Sequence, residues 1–366
     1  MSSHHAIAIV SPGVIDQIDF PTSTPIGNEV LIKVQYTAIV TVDTYQIDRA
    51  FYVQGYPHTL GFASAGQVKA VGPEVKNLKA GDKVAAYNFP APKTKGLQEY
   101  ALVPQPLVAK VPDDYNLAEA ASIPDNYTTA AFTLFGSSNL ALPLPTSFPP
   151  PSPPSDASQP ILVHGGAASS GQYIIQLLHL AGYTQIYATA SPKNHAYLKE
   201  LGATQVFDYH SPHLADEILK ATNGHKVSIA IDTIGAKPSI EAYSPVLGKE
   251  SRLALLLPVK KGAAVRNEEQ DDMSSVLPPW VYELVGGATV FPIATFRMFE
   301  RQDPATLDFM PKLLPQLLAS KALRPNRIRL FKESDGPILE RVKTALDLHR
   351  ENKVSGEKIV IELKWN

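Results

Sequence analysis

Residues 160–178, PILVHGGAASSGQYIIQLL, carry the clearest chemistry in the chain. A short apolar strand runs into small residues and then into a helical pattern. Gly166, Ala168 and Gly171 occupy the three places of the G-x-G-x-x-G dinucleotide fingerprint, with Gly165 just ahead. Ala168 replaces the middle glycine; it is small enough to let backbone approach a pyrophosphate, though less closely. Ala167, Ser169 and Ser170 complete the turn, and the serines add hydroxyl donors. The helix that follows would offer its N-terminal N–H groups and the positive end of its dipole. The end of the next strand selects the nucleotide. An NAD site usually places an acid there for the ribose 2′-hydroxyl. Here the stretch reads TASPKNH, residues 189–195, without an acid. Ser191 can donate a hydrogen bond, Lys193 can pair with a 2′-phosphate, and Asn194 adjoins them. Tyr209, in VFDYH, is placed to lie beside the same ribose. NADPH is the expected cofactor.

The elements that must position these residues fall into two kinds. Residues 6–110 read mostly as short strands (AIAIV, EVLIKVQYTAIV, SAGQVKAVG, DKVAAY, EYALVP) separated by Gly, Pro, Asn and Asp. They predict an all-β domain of barrel type. From about residue 115, NLAEAASIPDNYTTAAFTLFG has helical spacing. Eight prolines between residues 143 and 160 exclude a helix or central strand and predict an exposed, extended insertion. After it, strands alternate with helices, which predicts a doubly wound parallel sheet. One or two helices and a closing strand, KIVIEL, end the chain, and that strand resembles those of the first domain. The expected division is 1–125 with 297–366 for the β domain, and 126–296 for the nucleotide-binding domain.

Composition narrows the function. The chain has 366 residues, 44% hydrophobic and 19% charged, with a net charge of −2 and no cysteine. Disulfides and thiolate zinc sites are excluded. No basic run argues for nucleic acid, no stretch approaches a membrane span, and no signal peptide is read, so a cytoplasmic location is expected.

Taken together, GQVKAVGPEVKNLKAGDKV, GLQEYALVP, ILVHGGAASSGQYIIQLLHLAG, LGATQVFDY and AIDTIG resemble the medium-chain dehydrogenase/reductase superfamily over nearly the whole chain. The resemblance implies a GroES-like β-barrel catalytic domain built from both ends of the chain and a Rossmann domain between them, with cofactor and substrate in the cleft. Phe62 and Ala63 stand where zinc-dependent members carry His and Glu, and the early cysteine is missing. His58 alone makes no metal site. The resemblance is therefore to the zinc-independent branch of quinone oxidoreductases and enoyl reductases. Within it, the proline-rich insert, TASPKNH, VFDYHSP and VSGEKIVIEL look like fungal trans-acting enoyl reductases of the lovastatin type. That likeness implies NADPH-dependent, metal-free reduction of an activated C=C bond in an enone or enoyl thioester. A quinone oxidoreductase and a catalytically silent NADPH sensor are the alternatives. Small-molecule or thioester substrates and a polyketide synthase carrier protein are the candidate partners, and monomer and homodimer both stay open.

The same resemblance assigns residues. In VDTYQ, Asp43, Thr44 and Tyr45 map to the cofactor and catalytic region; Tyr45 stands where quinone oxidoreductases keep a tyrosine and the lovastatin-type enzyme a lysine. Asp43 is expected to brace backbone rather than act as an acid. Tyr52 is a second proton-donor candidate and a substrate contact, with water the third source. Thr129 matches a threonine beside the nicotinamide. Leu256 and Leu257 fall at the nicotinamide end, Ser355 and Gly356 where the returning segment touches the cofactor, and Phe291 where a substrate pocket would form.

Overall fold

Strand β1 (Ser3–Ser11) opens the chain and pairs antiparallel with β2 (Val14–Pro21). Strand β3 (Glu29–Ile39) follows; its Val30, Ile32, Val34, Ala38 and Ile39 are buried. Helix α1 (Thr41–Arg49) comes next, then β4 (His58–Thr59), β5 (Ala63–Val71), β6 (Lys83–Tyr87), β7 (Tyr100–Pro104) and β8 (Val108–Lys110). The computed structural model describes residues 2–266, 273–301 and 304–365. The chain divides into two compact units, Met1–Thr128 with Leu307–Asn366, and Thr129–Thr306.

Two stretches differ from the reading of the sequence. Residues 41–49, within a region read as strands, form α1. A left-handed Ala50 at φ 51° ends that helix, its N–H bonded to the Tyr45 carbonyl. The helical run from residue 117 splits into α2 (Leu117–Ala120) and α3 (Pro124–Phe135). Proline lacks the N–H that a continuous helix needs, but it fits a first turn.

The second unit holds β9 (Ile161–His164), α4 (Ser169–Leu180), β10 (Ile186–Thr189), α5 (His195–Glu200), β11 (Gln205–Phe207), α6 (Leu214–Ala221) and β12 (Ile229–Asp232). It continues through α7 (Lys237–Tyr243), β13 (Arg252–Leu256), the short antiparallel pair β14 (Val259–Lys260) and β15 (Met273–Ser274), α8 (Pro279–Leu284) and β16 (Thr289–Ile293). Its six-stranded sheet runs β11-β10-β9-β12-β13-β16, every pair parallel. This is the 3-2-1-4-5-6 order of the dinucleotide-binding fold, and the order reverses at β9, the strand that leads into the glycine turn. β9 and β12 are buried end to end, as a sheet covered on both faces requires. Leu162, Phe207, Leu214, Ile218, Ile240 and Val246 share one core beneath it. The proline-rich segment has no regular structure, as expected. It is not wholly exposed: Ala157 is buried, and a Cβ on Gly182 would come within 3.3 Å of Pro150 and Pro154.

The chain then returns to the first unit. Helix α9 (Leu314–Ala319) precedes β17 (Ile328–Phe331), which the sequence reading did not anticipate; α10 (Ile338–Arg350) and β18 (Lys358–Glu362) follow. β18 pairs antiparallel with β3, Ile359 opposite Ile39 and Ile361 opposite Thr37. The seven-stranded sheet runs β17-β18-β3-β5-β6-β8, with β7 also on β3. The KIVIEL strand thus completes the domain that the N-terminus begins.

Candidate active site

The glycine turn is held open from below. Gly165 adopts φ +75°, the left-handed region that favours glycine, and a Cβ there would lie 2.5 Å from Thr233 Oγ1. Gly165 N donates to Thr189 Oγ1 at 3.1 Å, and Gly166 N donates to the Thr189 carbonyl at 2.9 Å. Thr233 Oγ1 donates to the carbonyls of His164 and Gly165 at 3.1 and 3.0 Å. Gly171 lies against the turn so closely that a Cβ would fall 2.4 Å from the Gly165 oxygen. Helix α4 therefore starts directly on the strand end. Its N-cap, Ala168, provides no side-chain cap. These features fit a phosphate cradle: small residues, close approach, and a twelve-residue helix whose N-terminus no side chain of its N-cap covers.

Beneath the turn lies a buried polar network. Thr189 Oγ1 lies 3.0 Å from His164 Nδ1. Burial holds the His164 pKa below its ordinary value, so the ring is neutral at pH 7, and Nδ1 and the Thr189 hydroxyl share this hydrogen bond. Asp232 accepts from the N–H groups of Ile234 and Gly235 at 2.7 and 3.1 Å and from the Tyr243 hydroxyl at 3.0 Å. The His164 and Tyr243 rings lie 4.8 Å apart. Burial, and then the Asp232 charge, raise Tyr243 well above the usual phenol range.

The predicted ribose residues gather at the end of β10. Ser191 Oγ lies 3.4 Å from the Tyr209 hydroxyl. Lys193 is exposed, and among the described residues no ion pair holds it. Asn194 is buried, and His195 Nε2 donates to the Ala190 carbonyl at 3.0 Å, fixing the turn. An exposed lysine two residues after Ser191, whose hydroxyl meets that of Tyr209, fits a 2′-phosphate. Leu256 and Leu257 are half-buried at the end of β13, and Leu257 N bonds the Ile293 carbonyl at 3.0 Å. Phe291, on β16, lies under the Arg252 guanidinium at 5.4 Å. Thr129 is half-buried on α3, its carbonyl accepting from Thr133 Oγ1 at 2.7 Å.

The first unit places the remaining candidates. Asp43 is fully buried near the start of α1, where it accepts from Val40 N at 2.9 Å and Gly61 N at 3.0 Å. It braces the backbone on both sides of the helix entry. Thr44 Oγ1 donates to the Thr41 carbonyl at 2.6 Å. Tyr45 is buried on the same helix. Tyr52 is 44% exposed at φ 56°, its ring edge-on to Phe51 at 4.7 Å. Ser355 is exposed, and Gly356, at φ 72°, is buried ahead of β18. Gln46 Nε2 donates to His58 Nε2 at 3.1 Å. Burial, with Lys95 nearby, holds His58 down to about 4, so it is a neutral acceptor. Among the described residues no group of three His, Asp or Glu side chains could hold a metal ion.

Sequence reasoning missed a set of buried charges in this unit. Lys95 is 1% exposed, and its ammonium lies 3.5 Å from the Phe62 ring centroid. Burial lowers its pKa, opposed by the charge of Asp43. Burial raises Asp43, opposed by its two backbone donors and by Lys95. Lys358 on β18 pairs with Asp125 and donates to Asn126 Oδ1 at 2.6 Å. Lone lysines in unpatterned stretches give no spacing signal, so nothing in the sequence marked them.

The sequence matches the alcohol dehydrogenase GroES-like domain over residues 27–113 and the zinc-binding dehydrogenase family over residues 171–262. It is 30% identical over 342 residues to the trans-enoyl reductase himH of Aspergillus japonicus, covering 92% of this chain and 90% of that protein. It is 28% identical over 345 residues to the trans-enoyl reductase eqxC of Fusarium heterosporum, 92% of each chain. The solved CurK enoyl reductase superposes with a TM-score of 0.77 at 21% identity, covering 99% of this chain and 100% of that one. The chain belongs to the medium-chain dehydrogenase/reductase superfamily. Its two units are accordingly a GroES-like domain and a Rossmann domain, and its relatives include fungal trans-enoyl reductases.

Proposed function

We propose that the protein is an NADPH-dependent reductase of activated C=C bonds in fungal secondary metabolism. Its acceptor is an enone or enoyl thioester, the latter presented by the carrier protein of a polyketide synthase. The likeness to trans-enoyl reductases over nine-tenths of the chain carries this reading. The glycine turn supports a dinucleotide, and the pairing of Ser191 and Tyr209, with Lys193 two residues on and in no ion pair among the described residues, supports the 2′-phosphate. A reduced nicotinamide held there would supply the hydride for the β-carbon. The protein holds the diphosphate on Gly165–Gly171, orients the ribose through the β10 turn, and stabilises charge developing on the acceptor oxygen. A proton at the α-carbon completes the reduction.

The test is consumption of NADPH with a panel of enones, enoyl thioesters and quinones. Turnover of enones or enoyl thioesters is expected. Turnover of quinones alone would replace this reading with a quinone reductase. Tight NADPH binding without turnover of any acceptor would replace it with a nucleotide sensor.

A further inference from the structure

Gln172, in the first turn of α4, is fully buried, and its side chain reaches back to the glycine turn. Its Nε2 donates to the Ala167 carbonyl at 2.9 Å, and its Oε1 accepts from the Tyr197 hydroxyl on α5 at 3.1 Å. The Ala167 carbonyl can only accept, so Nε2 faces it and Oε1 is left for the phenol. Removing either bond would strand a polar group that the fold has taken out of water. Every residue of this set lies in the Rossmann unit, Thr129–Thr306.

These contacts matter through the peptide they enclose. The peptide between Gly165 and Gly166 is fixed, because Gly166 N donates to the Thr189 carbonyl at 2.9 Å. The peptide between Ala167 and Ala168 is fixed at both ends: Ala168 N donates to the Gly165 carbonyl at 2.9 Å, and Gln172 holds the Ala167 oxygen. The peptide between Gly166 and Ala167 is planar and lies between two fixed neighbours, so it has little freedom to turn. Its N–H, on half-buried Ala167, has no acceptor among the described residues. A buried N–H needs a partner, and one placed just ahead of the α4 N-cap suits an anion. Tyr197 extends the brace to the next turn. It stands on α5 four residues after Lys193 and two after His195, whose ring is bonded to the Ala190 carbonyl. The glycine turn and the turn that carries Ser191 and Lys193 are thereby tied together through Gln172.

We propose that Gln172 is a positioning residue for the diphosphate of the dinucleotide: braced by Tyr197, it sets the turn so that Ala167 N donates to a phosphate oxygen. This rests on the dinucleotide reading above. It names a side chain outside the glycine fingerprint, which ends at Gly171. Gln172 does not touch the nucleotide; it acts through the Ala167 backbone and through the spacing of the two turns.

The test compares wild type, Gln172→Met and Tyr197→Phe by calorimetric titration with NADPH, NADH and adenosine 2′-monophosphate, and by thermal melting. Methionine keeps the length of the side chain and removes both hydrogen bonds. A hydrogen bond to a charged group is worth about tenfold or more in binding, so Gln172→Met should raise the dissociation constants of NADPH and NADH alike by about tenfold. Adenosine 2′-monophosphate carries no diphosphate and should bind within twofold of wild type. Tyr197→Phe keeps the bond to Ala167 and should show the same pattern with a smaller loss, about threefold. A glutamine with a merely structural role would lower Tm and either weaken all three nucleotides together or spare them all, and each of those results overturns the positioning role. If Gln172→Met does not fold, Tyr197→Phe decides: unchanged NADPH affinity, or an equal loss for adenosine 2′-monophosphate, overturns it. A wild type that binds neither NADPH nor NADH would instead remove the dinucleotide reading, and the role of Gln172 with it.

Discussion

Substituting alanine at Gly171 tests the glycine turn through a distance that the structure supplies. The added Cβ would stand 2.4 Å from the Gly165 carbonyl oxygen and 2.9 Å from the Gly166 Cα. A carbon–oxygen contact needs about 3.3 Å, so helix and turn must part by roughly 0.9 Å at that point. Both contacting groups are backbone, and no flexible side chain can absorb the clash. Overpacking of this kind costs about 1–3 kcal/mol. The Rossmann unit spans Thr129–Thr306, a size at which each kcal/mol moves Tm by roughly 2–4 °C. Gly171→Ala should therefore melt a few degrees lower. Misplacing a binding group by about 1 Å is worth up to about a hundredfold, so the dissociation constant for NADPH should rise at least tenfold. Titration calorimetry on the purified variant measures the affinity, and scanning calorimetry measures the melt. Ala168→Gly, which restores the middle glycine of the fingerprint, should bind at least as tightly as wild type. A Gly171→Ala variant that melts with wild type and binds NADPH within twofold would refute the assignment of this turn as the phosphate cradle.

Two further outcomes are expected. Lys193→Ala should weaken NADPH about tenfold or more while leaving NADH binding unchanged, since it removes the charged partner of the 2′-phosphate; equal losses for both nucleotides, measured by fluorescence titration, would reject the assignment. His349 lies buried between α10 and β3, its Nε2 donating to the Ile39 carbonyl at 3.2 Å, and burial holds its pKa at about 4 against an ordinary 6.5. The unfolded chain therefore binds the proton first as pH falls. The stability contributed by the neutral ring is complete above pH 6.5 and is lost between pH 6.5 and about 4, for a total of about 3 kcal/mol. Urea unfolding across that window should show His349→Gln losing less stability than wild type; parallel curves would show that the ring is not buried neutral.

The nucleotide-binding half was legible because its signals are local. PILVHGGAASSGQYIIQLL places a strand, a tight turn and a helix within nineteen residues, and each responds to the residues beside it. The alternation after it implied the parallel sheet, and TASPKNH carried its chemistry in seven positions. The β domain was legible in its strands but not throughout. Helix α1 has weak helical patterning, and the bracing of Asp43 against Gly61, eighteen positions away, helps hold its entry. The buried charges were beyond any local reading. Lys358 meets Asp125 across 233 positions because β18 crosses back to pair with β3. Lys95 meets Phe62 because the 92–97 turn hydrogen-bonds alongside residues 60 and 61. Propensity and periodicity act over a few residues, and they determined the strands, the turn and the order of elements. Desolvation of a charge depends on which distant segments close around it, and that was decided only when the chain folded.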